Sequence, residues 1–236
     1  MIDLRPLYKY DNKKYKLAEL SKLQQQLLAG RLNDKNIKYY NDNPELVYKT
    51  NITIDKVFSL ASDLPDADRI IDLFHTKKEI SKNAHICLIS DFDTDGISSC
   101  VVLEKSLSIL GYTNVSTIVN KRKYGTGVTS YCLDRLKEIN DRQTVELIIL
   151  SDHGSSNGPE YNLIQNELIP NVKIILTDHH QVNLNLMNID SKNKNNFYFV
   201  NPQLPSAYTF ISNVLLKQLS GCAIAYLTML LIAGKD

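Results

Sequence analysis

Three short polar clusters carry the residues most able to do chemistry: Asp91-Phe92-Asp93-Thr94-Asp95-Gly96, Ser151-Asp152-His153-Gly154 and Thr177-Asp178-His179-His180. Together they hold five of the 26 acidic residues and three of the five histidines. A group of carboxylates repels itself, and a positive charge is the simple cure. Mixed carboxylate and imidazole ligands suit Mn, Fe, Zn or Mg better than a thiol-seeking ion. This many ligands could hold two ions. Taken singly, each cluster has a plainer reading: a D-x-D as a turn or helix cap, Asp-His-Gly as a turn, a His-His pair as structural. All three end an expected strand of one sheet, and that shared position favours the metal reading.

The elements that must position them follow from periodicity. Apolar runs of strand length lie at 86–90, 115–119, 146–150, 172–176 and 197–200. Helical patterns lie between them: 97–110 closed by Gly111, 130–139 with Thr129 as N-cap, and 159–168 with Pro159 at the first turn. Strands alternating with helices predict an α/β fold, a parallel sheet flanked by helices on both faces. Such sheets bind ligands outside the carboxyl ends of their strands. Two more helical stretches, 55–60 and 67–78, precede His85. Residues 1–50 differ in texture: ten Lys/Arg against six Asp/Glu, and six of the 13 tyrosines. Leu17, Leu20, Leu23, Leu27 and Leu28 predict a helical lead-in there, stopped at Gly30. The expected division is a basic, Tyr-rich segment 1–50 and a core 51–236.

The chain has 236 residues and a net charge of +1, with 27 basic against 26 acidic residues. That balance argues against global disorder and a histone-like coat, so any nucleic-acid binding must come from local patches such as Lys121-Arg122-Lys123. The four cysteines form no C-x-x-C. A zinc ribbon and a disulfide scaffold are excluded, and a reducing cytosol fits. The N-terminus lacks an apolar signal core, and the longest apolar run, 222–234, is shorter than the ~20 residues a bilayer needs. A cytoplasmic protein with no membrane contact is expected. The Lys-, Asn- and Ile-rich usage points to a bacterial or phage genome.

The three clusters in this order resemble the motifs of the DHH phosphoesterase superfamily, and within it the RecJ-like single-strand exonucleases. DFDTDGISS (91–99) is similar to the first motif, the Asp152 segment SDHG to the second, and Asp178-His179-His180 to the third. Asn120-Lys121-Arg122, then Tyr124-Gly125 and Gly127, resemble a P-N-R and G-Y-G stretch, without the proline. Asn201-Pro202 and Ser220-Gly221-Cys222-Ala223 follow in order. The resemblance covers about residues 50–236. It implies two divalent ions, Mn²⁺ or Mg²⁺, held by Asp91, Asp93, Asp152 and His179. His180 would face the scissile phosphate and Asp178 would orient the pair; Asp95 is not counted as a ligand. Arg122 would hold a phosphate, within a substrate-binding stretch of Lys121, Arg122, Lys123, Tyr124, Gly125 and Gly127. The implied partner is single-stranded nucleic acid, degraded 5′ to 3′.

One departure shapes the expectations. RecJ-like proteins supply another aspartate from a fourth motif and close a second domain over the substrate, whereas this sequence stops at Gly234-Lys235-Asp236. A longer or split protein is expected, with further chain or a partner covering the apolar stretch 224–232. Two other readings stay open. One is a phosphodiesterase for short oligoribonucleotides or cyclic dinucleotides, disfavoured because Cys87 stands where that branch has histidine. The other is a non-catalytic nucleic-acid-binding subunit, disfavoured by three intact motifs.

Overall fold

The computed structural model describes residues 54–204 and 216–234. The chain divides into two units, Met1–Thr53 and Ile54–Asp236. The helix expected at 17–28 and the Tyr-rich segment lie outside the described residues. The described part is a five-stranded parallel sheet in the order β2-β1-β3-β4-β5. The strands are β1 (Ile86–Ser90), β2 (Val115–Val119), β3 (Leu147–Ser151), β4 (Lys173–Thr177) and β5 (Phe197–Val200). β1 and β3 are buried at every residue, which is why ICLIS and LIILS read as unbroken apolar runs.

Side chains alternate between two cores. Leu88, Leu147, Ile149 and Ile175 enter one, which is covered by helices α1 (Ile54–Ser62), α2 (Ala67–Ile71), α3 (Thr94–Ile109) and α6 (Gly221–Ala233). Cys87, Ile89, Ile148 and Leu176 enter the other, under α4 (Ser130–Arg142) and α5 (Gly158–Leu163). π-Helical turns at Asp72–Thr76 and Ile164–Leu168 prolong α2 and α5. This is the expected α/β architecture with helices on both faces. The edge strand β5 is blocked by side chains: Asp66 Oδ2 accepts from Phe199 N at 2.7 Å, and Arg69 donates to Phe197 O at 3.0 Å. Covering an edge in this way denies it to a foreign strand.

Several boundaries differ from the expectations. β3 and β4 run one residue further, through Ser151 and Thr177: Ser151 pairs with Ser90 on one side and with Thr177 on the other. These hydroxyl residues look like loop starts, yet Thr177 Oγ1 donates to Leu150 O at 3.0 Å and stays in the ladder. α3 starts earlier, at Thr94, because Asp93 caps it by accepting from Gly96 N at 2.9 Å. Thr129 makes no side-chain cap; its hydroxyl donates to Asn120 Oδ1 at 2.9 Å.

The sequence pattern of 224–232 calls for a partner or further chain as cover. Instead Ile224, Ala225, Leu227, Met229, Leu231 and Ile232 are buried within this chain, in the core shared with α2 and α3. An all-round apolar helix demands cover, and here its own neighbours supply it. No helix among the described residues is long and apolar enough to cross a membrane.

Candidate metal centre

Each strand hands over to a polar residue at its carboxyl end. The backbone ladder continues one step past the strands, with Asn120 N bonded to Ser90 O (2.9 Å), Asp152 N to Thr177 O (2.9 Å) and Asp178 N to Val200 O (3.0 Å). Read across the sheet, the row is Asn120, Asp91, Asp152, Asp178 and Asn201, and every member is buried. The chain leaves β1 toward β2 on one side and returns to β3 on the other. The point where direction reverses lies between Asp91 and Asp152, the place where open sheets of this kind leave a crevice.

Asp152 is the odd member of the row. Its backbone takes a left-handed conformation, φ 62°, rare for a residue with a side chain. Its Oδ1 is buried and has no hydrogen-bond donor. Burial pushes the Asp152 carboxyl above its usual range, against the pull of His179. His179 Nε2 stands 3.2 Å from that oxygen. His179 Nδ1 lies 3.0 Å from Leu219 O, an acceptor only, so Nδ1 carries the proton and Nε2 points its lone pair at Asp152. Two acceptors face each other, and a proton or a cation must satisfy them. Without a cation the proton serves, and Asp152 raises the His179 pKa accordingly.

Asp178 is saturated. Its Oδ1 accepts from His179 N (2.7 Å), His180 N (3.2 Å) and His180 Nδ1 (2.7 Å), and its Oδ2 accepts from Ser155 N (3.2 Å). Burial alone would raise its pKa, but the donors from His180 and Ser155 win and bring it down to about 2. The same bond raises His180 to about 9. With Nδ1 committed to Asp178, the Nε2 of His180, a residue that lines the cleft, is left for another partner. Ligand atoms of Asp152, His179 and His180 all lie within 4.8 Å of one another, a spacing one ion could span. The residues present therefore fit a divalent cation: an orphaned buried oxygen and, facing it, a histidine whose Nε2 lone pair is aimed by the bond its Nδ1 makes to a backbone carbonyl.

The remaining predicted residues are placed as follows. Asp91 Oδ1 accepts from Phe92 N at 2.8 Å, and Asp91 lines the open cleft of about 370 Å³ that also meets Asp152, Asp178 and His180. Asp93 caps α3, and its charge raises the Asp152 pKa. Neither joins the tight Asp152–His179–His180 group. Asp95, not counted as a ligand on sequence grounds, comes closer: its Oδ2 is 3.7 Å from His179 Nε2. Both its oxygens are also engaged by the first turn of α6, from Gly221 N (2.8 Å) and Cys222 N (2.9 Å). Gly221 is forced by its close approach to Asp152, since a Cβ there would fall 2.2 Å from Asp152 Oδ1.

The basic loop reaches the rim through Phe92, over whose ring the Arg122 guanidinium lies at 4.8 Å. Tyr124 stacks on Tyr131, centroids 5.2 Å apart, with Lys121 over Tyr131 and Lys123 over Tyr124. Gly125 and Gly127 turn the loop with φ 92° and 83°. Asn120 holds it: Nδ2 donates to Gly125 O and Gly127 O, while Oδ1 accepts from Lys121 N and Thr129 Oγ1. Fully engaged and buried, Asn120 is a scaffold. Asn201 plays the same part for the third cluster, donating to Ser155 Oγ (2.8 Å) and His180 O (2.9 Å). Both asparagines directly follow strands, as the aspartates do, and that position is the signal available in the sequence.

The DHH family, N-terminal domain, matches residues 85–234, well over half of the chain. The chain belongs to the DHH family. Among solved structures, this DHH chain is similar to the exonuclease RecJ bound to manganese, with 22% identity and a TM-score of 0.53 over 72% of this chain and 37% of that one. It also matches RecJ in complex with Mn²⁺ from Thermus thermophilus, with 17% identity and a TM-score of 0.47 over 75% of this chain and 25% of that one. The DHH domain of a member of a family of ribosomal proteins matches with 14% identity and a TM-score of 0.47, over 85% of this chain and 48% of that one. A sequence search of curated proteins finds no match. The DHH chain thus spans well under two thirds of the length of each of these structures.

Proposed function

We propose that the strand-end rim holds divalent metal, most simply manganese, and that the protein hydrolyses phosphodiester bonds in single-stranded DNA from the 5′ end. The observation that carries the reading is the buried, donor-less Asp152 Oδ1 facing the His179 Nε2 lone pair at 3.2 Å. Asp152 and His179 would form the centre of the site, with Asp91 and Asp93 adding carboxylates from the first motif. When bound, divalent metal ions make a coordinated water nucleophilic near neutral pH and offset charge growing on the phosphate. The chain's own groups do the rest. Asp178 fixes the His180 ring, so that its Nε2 presents a donor to a phosphate oxygen at the mouth of the cleft. Arg122, with a planar fork of donors, suits a phosphate better than lysine. Tyr124 offers a stacking face worth about 1–3 kcal/mol per base, which an unpaired strand can use.

Two features support a single strand over a dinucleotide: the cationic, aromatic loop beside the rim, and Cys87, which is buried in the core and offers no ligand. The manganese bound to RecJ, a protein of the same fold, supports the choice of metal. The experiment is a gel assay with 5′-labelled and 3′-labelled oligodeoxynucleotides and Mn²⁺, beside diadenylate and a short RNA. Mononucleotides released from the 5′ label first are expected. Faster turnover of the dinucleotide would overturn the strand reading, and no metal-dependent cleavage of any substrate would leave a binding subunit.

A further inference from the structure

The geometry assigns Asn157 a positioning role: it fixes the cationic loop at a set distance from the metal rim, and so sets the affinity for a phosphodiester strand. The inference rests on the proposed strand-binding function and names a residue that no motif of the resemblance contains. Asn157 sits five residues after Asp152, on the loop between β3 and α5. Its Oδ1 accepts from Val128 N at 3.1 Å, across the cleft on the loop between β2 and α4. Next to that contact Gly127 leaves bare space: a Cβ there would fall 2.4 Å from Asn157 Oδ1, and φ is 83°. The Asn157 side is itself anchored, because Asn157 N and Tyr161 Oη both donate to Gly154 O, each at 3.0 Å. On the far side Asn120 ties Gly127 back to Lys121, so the loop moves as one piece. The Asn157–Val128 hydrogen bond, beside a contact of the buried His153 ring with the Gly127 backbone, thus joins a loop carrying a rim aspartate to the loop carrying Lys121, Arg122 and Lys123. A strand that touches both must match their spacing, and preordering that spacing spares the cost of fixing it on binding.

The test uses the full chain, Mn²⁺ and a fluorescent phosphorothioate oligothymidylate read by anisotropy, with Mn²⁺ affinity read separately by calorimetry. Asn157→Ala is expected to weaken strand binding by roughly five- to tenfold, the loss of about one hydrogen bond's worth of order. Mn²⁺ affinity should stay within about twofold, since the contact lies outside the ligand set. Gly127→Ala should weaken strand binding as well, and less so in the Asn157→Ala background, where the clashing oxygen is gone. Arg122→Ala separates the two levels. If it weakens binding while Asn157→Ala does not, the positioning role is overturned and the strand reading stands. If neither weakens binding, the strand reading fails. Equal proportional losses of strand and metal affinity in Asn157→Ala would show general damage and overturn the inference. Should that variant not fold, wild-type strand affinity in Gly127→Ala would overturn it instead.

Discussion

Two Asp–His pairs end neighbouring strands, and they have opposite electrostatic characters. Asp178, after β4, is buried and has four donors, and its pKa falls to about 2. Asp152, after β3, is buried just as deeply yet keeps an orphaned oxygen, and its pKa rises. The fold invests its local hydrogen bonds in one pair and withholds them from the other. A saturated carboxylate orients; an unsaturated one in a left-handed backbone is left able to take a cation. The same reasoning separates the two histidines, since His180 is aligned by a carboxylate and His179 by a backbone carbonyl.

The largest effect expected from this contrast is on stability. Asp178→Ala should leave several backbone and imidazole donors unpaired around a buried position and cost about 3–5 kcal/mol in urea unfolding of metal-free protein. Asp152→Asn should behave oppositely: asparagine tolerates the left-handed backbone and carries no buried charge, so metal-free stability should hold or rise by up to about 1 kcal/mol. Losses of equal size at the two positions would erase the distinction.

A smaller effect follows from pH, again in metal-free protein. His180 has a folded pKa of about 9, above its unfolded ~6.5, so its contribution is complete below that value and disappears as pH rises through about 9. Asp178 has a folded pKa of about 2, below its unfolded ~3.9, so its contribution is complete above that value and disappears as pH falls through about 2. The stability gap between wild type and His180→Gln should therefore be widest between about pH 4 and 6.5 and close above about 9. His180 is more than half exposed, so solvent screens the pair and the gap is modest. A gap that widens with rising pH would contradict the assignment.

Much of this is legible in the sequence, for a physical reason. A buried parallel strand must be apolar, so a run such as ICLIS ending in DFD marks both the strand and the rim. The strands at 86–90, 115–119 and 197–200 are readable to the residue, and the three clusters come together on one edge as the alternation requires. Hydroxyl residues hide the last step of β3 and β4, because Ser151 and Thr177 look like loop yet pair inside the sheet. Asp95 is easily undervalued because its partners, the backbone N–H groups of Gly221 and Cys222, lie some 126 residues away. Asn157 is invisible for the same reason: its contact with Val128 crosses between loops. The apolar helix 224–232 announces that it needs cover, but a pattern of leucines cannot say whose side chains provide it.

The central claim, that Asp152 and His179 form a metal centre, is tested most directly by titrating Mn²⁺ into the wild-type chain and into Asp152→Asn by calorimetry. At a pH near 6.5 the account predicts binding to the wild type with release of a proton from His179, seen as an enthalpy that changes with the buffer. It predicts that binding is lost in Asp152→Asn, with the variant's unfolding midpoint in urea at or above that of the wild type. Equal affinity in both proteins, or wild-type binding with no proton released, would contradict it.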